Sequence, residues 1–319
     1  MNLPGIPTMK GNASLFAAID LGSNAFRLMI GQSVRRNQQI VIQEVKTLRE
    51  PVRLAEGFQG GALDELALDR GWQALARFGK KLRGFEAGRV RAVATSAVRE
   101  ADNAQLFLTS AERHLGFRID VISGHEEARL VYAGVAHTTP SAASMRLVVD
   151  IGGGSTELIL GQGAQPLLTE SIAIGSSTFG TRYFHGGCIT AQGLLEAERV
   201  ATVQFEKVAH RYRALGWQQA IGSSGTARML AKVLKANGLN DDDQDGITYG
   251  GLLRLSLRLL EAGQVNHLRL AGLQPHRLNS LPGGLVVMLA AFKVFGLSQM
   301  TPSEAGLRVG VLHGLMARH

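Results

Sequence analysis

The chain has 319 residues, 45% of them hydrophobic and 19% charged, so it has enough apolar side chains for two cores and is too apolar to be disordered. Its single cysteine, Cys188, excludes an intramolecular disulfide framework and a cysteine metal cluster, which favours a reducing, cytoplasmic location. The formal net charge of +8 favours an anionic partner, and nucleic acid, an acidic membrane and polyphosphate all meet that requirement.

The start of the chain and its most apolar segment argue against export and membrane insertion. Residues 1–14 contain two prolines and no apolar run of signal-peptide length, so we expect a mobile leader. Residues 285–294 are about half as long as the roughly 18 apolar residues of a membrane span, and Lys293 interrupts them. We therefore expect no transmembrane helix.

The next elements follow from hydrophobic periodicity. Residues 16–20, 26–32 and 40–48 are short apolar or alternating runs, which predict successive antiparallel strands. Helical spacing of apolar residues predicts a helix within 63–85. Beyond it the pattern predicts, in chain order, a strand over 89–94, a helix from Asn103, a strand over 118–122 and a helix that starts near Glu126.

An internal repeat relates two segments that lie 130 residues apart. Residues 20–32, DLGSNAFRLMIGQ, align without a gap with residues 150–162, DIGGGSTELILGQ, and five of the 13 positions are identical. Each copy ends an apolar strand at an aspartate, turns on glycine and small polar residues, and enters a second strand. Such a hairpin can point backbone N–H groups at an anion, for which phosphate is the natural candidate. Two such hairpins predict two similar domains across a ligand cleft, and the alternative is a structural duplication with ordinary tight turns.

A third glycine turn lies at residues 221–227, IGSSGTA, between an apolar stretch and a predicted helix. Helix N-termini bind anions through unpaired N–H groups and the helix dipole. The turn therefore suggests a further phosphate contact at Gly225 and Thr226. A simple strand-to-helix turn with Thr226 as its N-cap is the alternative.

With these segments in place, the chain resembles the exopolyphosphatase and guanosine pentaphosphate phosphohydrolase family, Ppx/GppA. The matching segments are AAIDLGSNAFRLMI (17–30), ATSAVREADN (94–103), ISGHEEARLVYAGV (122–135), LVVDIGGGSTELILG (147–161) and IGSSGTARMLA (221–231). They occur in the order of the family pattern and cover nearly the whole chain. Longer members carry an additional C-terminal helical domain, and the chain is similar to the short two-domain form.

The resemblance implies a fold of two ribonuclease-H-like α/β domains, as in actin, Hsp70 and sugar kinases, facing an interdomain cleft. We expect domain I over 15–128, domain II over 129–302, and a C-terminal helix within 303–319 that packs back on domain I. Two acidic residues of the family pattern are replaced, by Asn279 and by Val309. We expect these replacements to affect domain contacts or substrate choice more than chemistry.

The repeat and the resemblance together predict the site residues. Phosphoanhydride hydrolysis needs charge neutralisation, a grip on the phosphates and a positioned water. The predicted phosphate-binding residues are Gly22, Ser23, Asn24, Thr95, Ser96, Arg99, Gly152, Gly153, Gly154, Ser155, Gly225 and Thr226. The predicted ligands of Mg²⁺ or Mn²⁺ are Asp20, Asp150 and Glu157, and the alternative is that these carboxylates satisfy turn amides.

The resemblance also implies that Glu127 is the general base, because of its position in the family motif. Glu126 then has the ordinary role of an acid in the first turn of a helix. The roles of Arg27 and His125 stay open at this stage.

The expected activity is release of orthophosphate from the ends of inorganic polyphosphate. Conversion of guanosine pentaphosphate to the tetraphosphate is the sibling activity, and an ATP-dependent kinase of the same fold and a non-enzymatic polyphosphate binder are more distant alternatives. Nucleic acid is disfavoured because only 6% of residues are aromatic and none interleave with a basic cluster. A membrane partner is not expected, and a homodimer is compatible with the sequence.

Overall fold

The computed structural model describes residues 15–36, 39–139, 144–241 and 244–318. The predicted leader, 1–14, lies outside the described residues. In the first half the strands are β1 (Leu15–Leu21), β2 (Ala25–Arg36), β3 (Gln39–Pro51), β4 (Phe58–Gln59), β5 (Ala62–Leu63), β6 (Val90–Ala94) and β7 (Ile119–Val121). The helices are α1 (Glu65–Lys81), α2 (Ser96–Arg99), α3 (Ala104–Leu115) and α4 (Gly124–Thr138), with short 3₁₀ helices at Leu54–Gly57 and Ala87–Arg89.

The second half repeats this alternation at greater length. Its strands are β8 (Met145–Ile151), β9 (Thr156–Gln162), β10 (Gln165–Ile172), β11 (Gln219–Gly222), β12 (Ile247–Thr248) and β13 (Gln299–Pro302). Its helices are α5 (Ser176–Tyr183), α6 (Ala191–Leu215), α7 (Gly225–Ala236), α8 (Tyr249–Ala262), α9 (Leu281–Phe295) and α10 (Leu307–Met316). Short 3₁₀ helices lie at His185–Gly187, Val265–His267 and Pro275–Arg277.

The two main sheets share one topology. The first has the strand order β3-β2-β1-β6-β7, and the second has the order β10-β9-β8-β11-β13-β12. In each, three consecutive strands form an antiparallel meander, and the next strands run parallel to the first strand of that meander. This is the ribonuclease-H-like arrangement, and the expected pair of such domains is confirmed. The added edge strand β12 pairs antiparallel with β13.

Each domain has its own apolar core. The first core is built around Phe26, Phe78 and Phe107, and the second surrounds helix α9. Nearly every residue of α9 is buried, which explains the apolar run at 285–294, and Lys293 pairs with Glu198 at 3.2 Å where α9 approaches the surface. No helix in the described part of the chain is long and apolar enough to span a bilayer.

Helices α4 and α10 lie against each other between the two sheets. Helix α10 packs on the first sheet, where Val311 and Leu312 join the cluster of Phe16. Helix α4 packs on the second sheet, where Tyr132 joins the cluster of Ile159. Because α4 begins at the end of the first domain and packs on the second, the predicted boundary at residue 128 falls within a shared helix and stays a prediction.

Candidate functional site

Two strand turns face each other across the interdomain cleft. The first hairpin consists of β1, the turn 22–24 and β2, and the second consists of β8, the turn 152–155 and β9. A Cβ atom on Gly153 would lie 3.0 Å from the Cβ of Ser23 and 3.5 Å from the backbone nitrogen of Asn24. A Cβ atom on Gly154 would lie 2.6 Å from the Oγ of Ser96. A side chain at Gly154 would therefore displace the hydroxyl of Ser96, and one at Gly153 would press against Ser23 on the opposite wall.

The carbonyl groups of each turn are bound by the segment that follows the third strand of the same sheet. In the second hairpin the carbonyls of Gly152 and Gly153 accept hydrogen bonds of 2.9 to 3.1 Å from the first amides of helix α5. In the first hairpin the carbonyls of Ser23 and Asn24 accept bonds from the turn that follows β3. Among the described residues, the amides of Ser23, Asn24, Gly153 and Gly154 have no backbone acceptor. These four N–H groups are available to an anion.

The turns enclose a central cavity of about 130 Å³ between the domains. The helix α4 brings its first turn to this cavity, and α7 and α10 bring their N-termini. The predicted site residues that line it are Asp20, Gly22, Ser23, Asn24, Thr95, Ser96, Glu127, Asp150, Gly152, Gly153, Ser155, Gly225 and Thr226. Three predicted residues, Arg99, Gly154 and Glu157, are not among the residues that line it. Helix N-termini that converge on one cavity favour an anionic ligand.

Three of the predicted carboxyl groups, those of Asp20, Glu127 and Asp150, line the cavity, whereas that of Glu157 does not. Glu127 and Glu157 are buried, whereas Asp20 and Asp150 are partly exposed to the cavity. Burial and the neighbouring charge of Glu157 raise the pKa of Asp150 to about 8, although Ser223 donates a hydrogen bond to it. Burial raises the pKa of Glu157 to about 7, and burial together with the charge of Glu157 raises that of Glu127 well above its ordinary value. Uncompensated acids of this kind are stabilised in their ionised form by a bound cation.

The donor set fits a magnesium ion that is completed by water and substrate. Asp20 and Asp150 present carboxylate oxygens to the cavity, and Mg²⁺ commonly takes one or two carboxylates together with waters and phosphate oxygens. Glu157 is held instead by Ser171, whose hydroxyl donates to it at 2.8 Å. Within the described ranges, no group of three or more His, Cys, Asp or Glu side chains is arranged to hold a metal alone. The three-residue ligand set stays a prediction.

Glu127 is paired with Arg99. The Nη1 of Arg99 donates to the Oε2 of Glu127 at 3.3 Å and to the carbonyl of Ile122 at 3.0 Å. The guanidinium thereby fixes the carboxylate at the cavity edge, and the phosphate contact predicted for Arg99 stays a prediction. Glu126 lies outside the cavity lining and pairs with Arg91 at 3.5 Å. The exposed His125 also lies outside it, with its ring nitrogen 3.1 Å from the hydroxyl of Thr169.

Five arginines line the same cavity, and the sequence predicted a site role for none of them. This arginine cluster consists of Arg27, Arg49, Arg228, Arg277 and Arg308. Arg228 lies 3.5 Å from Glu304, and within the described residues the other four form no ion pair with a carboxylate. Burial and the charge of Arg27 lower the pKa of Arg277 to about 9 and that of Arg308 to about 10. Crowded guanidinium groups that lower one another's pKa bind a polyanion favourably.

The arginine cluster continues into an adjoining basic pocket of about 280 Å³. Thr47, Lys232 and His276 extend the pocket beyond the cluster. Of the two positions at which the chain departs from the family pattern, Val309 lines the central cavity, whereas Asn279 lies outside that lining, beside Gly180 in a separate pocket. A neutral residue at 309 leaves the positive charge of the cavity undiminished at that position.

Comparisons with known proteins agree with this architecture. The model of the Ppx/GppA phosphatase family matches residues 33–319. The fold is similar to that of an exopolyphosphatase from Cytophaga hutchinsonii, with a TM-score of 0.83 and 24% identity over 95% of this chain and 98% of that one. It is also similar to a Ppx/GppA family member from Aquifex aeolicus, with a TM-score of 0.75 and 25% identity over 96% of this chain and 99% of that one.

Proposed function

We propose that this chain, which belongs to the Ppx/GppA phosphatase family, is an exopolyphosphatase that releases orthophosphate from the ends of inorganic polyphosphate in the presence of Mg²⁺ or Mn²⁺. Family membership makes the chain a phosphoanhydride hydrolase. The observation that carries the choice of substrate is the arginine cluster with its extension into the adjoining basic pocket. Polyphosphate bears a charge on every unit, so successive units can occupy successive guanidinium groups.

The lining of these two pockets supports polyphosphate over a nucleotide. Among the described residues that line the central cavity and the adjoining basic pocket there is no Phe, Tyr or Trp. A base would therefore find no aromatic platform on which to stack. Backbone amides, hydroxyls and guanidinium groups, which dominate the lining, match phosphate oxygens instead.

The geometry supports a hydrolytic mechanism in which the turns and arginines bind the terminal phosphate and Glu127 activates the water. The free amides of the two turns bind the terminal phosphate, and Arg27 and Arg308 neutralise its charge. Water attacks the terminal phosphorus as the bond to the bridging oxygen breaks, Glu127 accepts the proton of the water, and the shortened chain leaves with the bridging oxygen. Burial and the charge of Glu157 raise the pKa of Glu127, and the charge of Arg99 opposes that rise and so favours the ionised base. A divalent ion held by Asp20 and Asp150 would neutralise the phosphate oxygens and the leaving oxygen.

One observation favours guanosine pentaphosphate as a second candidate substrate. A third pocket of about 450 Å³ opens beside Asn24 and is lined by Phe184, His185 and His276. Its aromatic and imidazole rings could accommodate a nucleoside next to the phosphate turns. This pocket lies outside the arginine cluster, so the two substrates would share the terminal phosphate site and differ beyond it.

Phosphate release by the full-length chain tests the proposal. We expect release from polyphosphates of several lengths in Mg²⁺, weaker release from guanosine pentaphosphate, and none in excess EDTA. Full activity in EDTA would contradict the metal assignment. If the chain hydrolysed guanosine pentaphosphate but released no phosphate from polyphosphate, the choice of substrate would be contradicted. Transfer of labelled phosphate to an added sugar, with no free phosphate formed, would identify a kinase.

A further inference from the structure

The turn that follows β3 contains an unusual backbone conformation. Arg53 has φ 50° and ψ 49°, and among the described residues it is the one non-glycine residue with a positive φ. This left-handed conformation is unfavourable for a residue that carries a Cβ atom, and it persists only where neighbouring contacts enforce it. The side chain of Arg70 supplies such contacts by donating to the carbonyls of Val52 at 2.8 Å and Arg53 at 3.4 Å.

The same turn forms backbone hydrogen bonds with the glycine turn of the first hairpin. The amides of Val52 and Arg53 donate to the carbonyl of Asn24 at 3.2 and 2.9 Å, and the amide of Ala55 donates to the carbonyl of Ser23 at 3.0 Å. These three N–H groups reach two adjacent carbonyls across a turn in which Arg53 adopts the left-handed conformation. We therefore expect this set of hydrogen bonds to depend on the left-handed conformation of Arg53.

The bond to the carbonyl of Ser23 determines the direction of the next amide, that of Asn24. In a trans peptide the carbonyl and the following N–H point in opposite directions. When the carbonyl of Ser23 is bound by Ala55, the N–H of Asn24 points to the cleft, where the Cβ position of Gly153 lies 3.5 Å away. We propose that Arg53 is a positioning residue whose left-handed backbone orients the anion-binding amide of Asn24 in the first hairpin. The identity of the anion rests on the proposed function.

In the second hairpin the turn carbonyls are bound without an unfavourable backbone conformation. There the carbonyls of Gly152 and Gly153 are bound by the amides of Ser176, Ser177 and Thr178 in regular helical conformation at the start of α5. In the first domain a one-turn 3₁₀ helix, Leu54–Gly57, occupies the equivalent place, and Arg53 precedes it. The first hairpin is thus the one whose anion-binding geometry depends on an unfavourable residue conformation.

Three substitutions separate the backbone of Arg53 from its guanidinium group. Arg53→Gly, Arg53→Asn and Arg53→Val all remove the charge, but glycine and asparagine tolerate the left-handed region and valine does not. We expect the KM for tripolyphosphate to be about tenfold higher in Arg53→Val than in the other two, a factor within the range that left-handed strain implies. The kcat should stay similar, because these amides bind ground state and transition state alike. Arg118→Val is the matched control, since its exposed side chain lies outside the cleft.

Calorimetric binding of tripolyphosphate provides a readout that does not require turnover. Tighter binding by Arg53→Gly than by Arg53→Val would support the proposal even if the wild-type chain failed to hydrolyse polyphosphate, which would contradict the proposed function alone. Equal KM and equal affinity in the two variants, with only a lower melting temperature for valine, would assign the turn a purely structural role. An Arg53→Gly variant as impaired as Arg53→Val would show that the guanidinium group matters and would overturn the proposal.

Discussion

The two hairpins of the cleft are copies of one element, and they differ most at one pair of positions. Asp20 lies opposite Arg27 in the first hairpin, whereas Asp150 lies opposite Glu157 in the second. The charge of Arg27 opposes the rise in the pKa of Asp20, but the charge of Glu157 adds to the rise in the pKa of Asp150. The first hairpin thus presents the cation of Arg27 to the cavity, whereas the second places the negative charge of Glu157 next to Asp150. The two turns therefore share one backbone pattern but have opposite electrostatics.

The side chains at this pair of positions also differ in direction. Arg27 lines the central cavity with the rest of the arginine cluster, whereas Glu157 is buried and hydrogen-bonded to Ser171. The first hairpin is therefore suited to hold substrate charge, and the second to hold a counter-charge for a metal ion. The following variants test this division.

The largest effect is expected at Glu127, whose carboxyl group faces acids of both hairpins. Glu127→Gln keeps the size of the side chain and removes the proton acceptor, so we expect kcat for polyphosphate to fall by about 10²- to 10⁴-fold with a similar KM. Phosphate release under saturating substrate measures this. Glu126→Gln is the matched control, because its carboxylate pairs with Arg91 outside the cavity. Equal activity of the two variants would contradict the assignment of the base.

The second prediction compares the two aspartates. Asp150→Asn should raise the Mg²⁺ concentration for half-maximal activity by about 10- to 100-fold, the range typical for damage to a metal site. Asp20→Asn should raise it less, because Arg27 and Arg308 already compensate Asp20. Magnesium titrations of phosphate release measure both shifts. A larger shift for Asp20→Asn would reverse the division between the hairpins.

The third prediction concerns the close approach of the turns. Gly153→Val places a branched side chain against Ser23 and should raise KM about tenfold, equivalent to one lost hydrogen bond to a charged ligand. Gly314→Val in helix α10 is the control, because a Cβ atom there meets no neighbour within 4 Å. An unchanged KM in a folded Gly153→Val variant would show that the turn does not bind substrate.

The smallest effect is expected at Arg27. Arg27→Gln should raise KM about fivefold, because one charged hydrogen bond is lost while four arginines of the cluster remain. The increase should shrink at high salt, where the remaining charges are screened. Steady-state kinetics at two salt concentrations measure both effects. A fall in kcat at constant KM would instead place Arg27 in the chemical step.

The sequence predicted those features that local patterns encode. The gapless repeat predicted both hairpins and the two similar sheets, because a strand, a glycine turn and a second strand are local in the chain. The arginine cluster escaped prediction, since its members come from β2, β3, α7, α10 and the Pro275–Arg277 helix, and tertiary packing alone brings them together. The pairing of Arg99 with Glu127 was missed for the same reason. A partial signal was present at Arg27, which the repeat aligns with Glu157.

The contact between α4 and α10 has a consequence for the width of the cleft. Gly134 of α4 packs directly on the backbone of Gly306 and Gly310, so no side chain separates the two helices at their crossing. Helix α4 carries Glu127 in its first turn, and α10 carries Arg308 in its first turn. The spacing of these two backbones therefore sets the distance between Glu127 and Arg308, which both line the central cavity. A methyl group added at Gly310, which does not line the cavity, would push α4 and α10 apart and so increase the distance between Glu127 and Arg308.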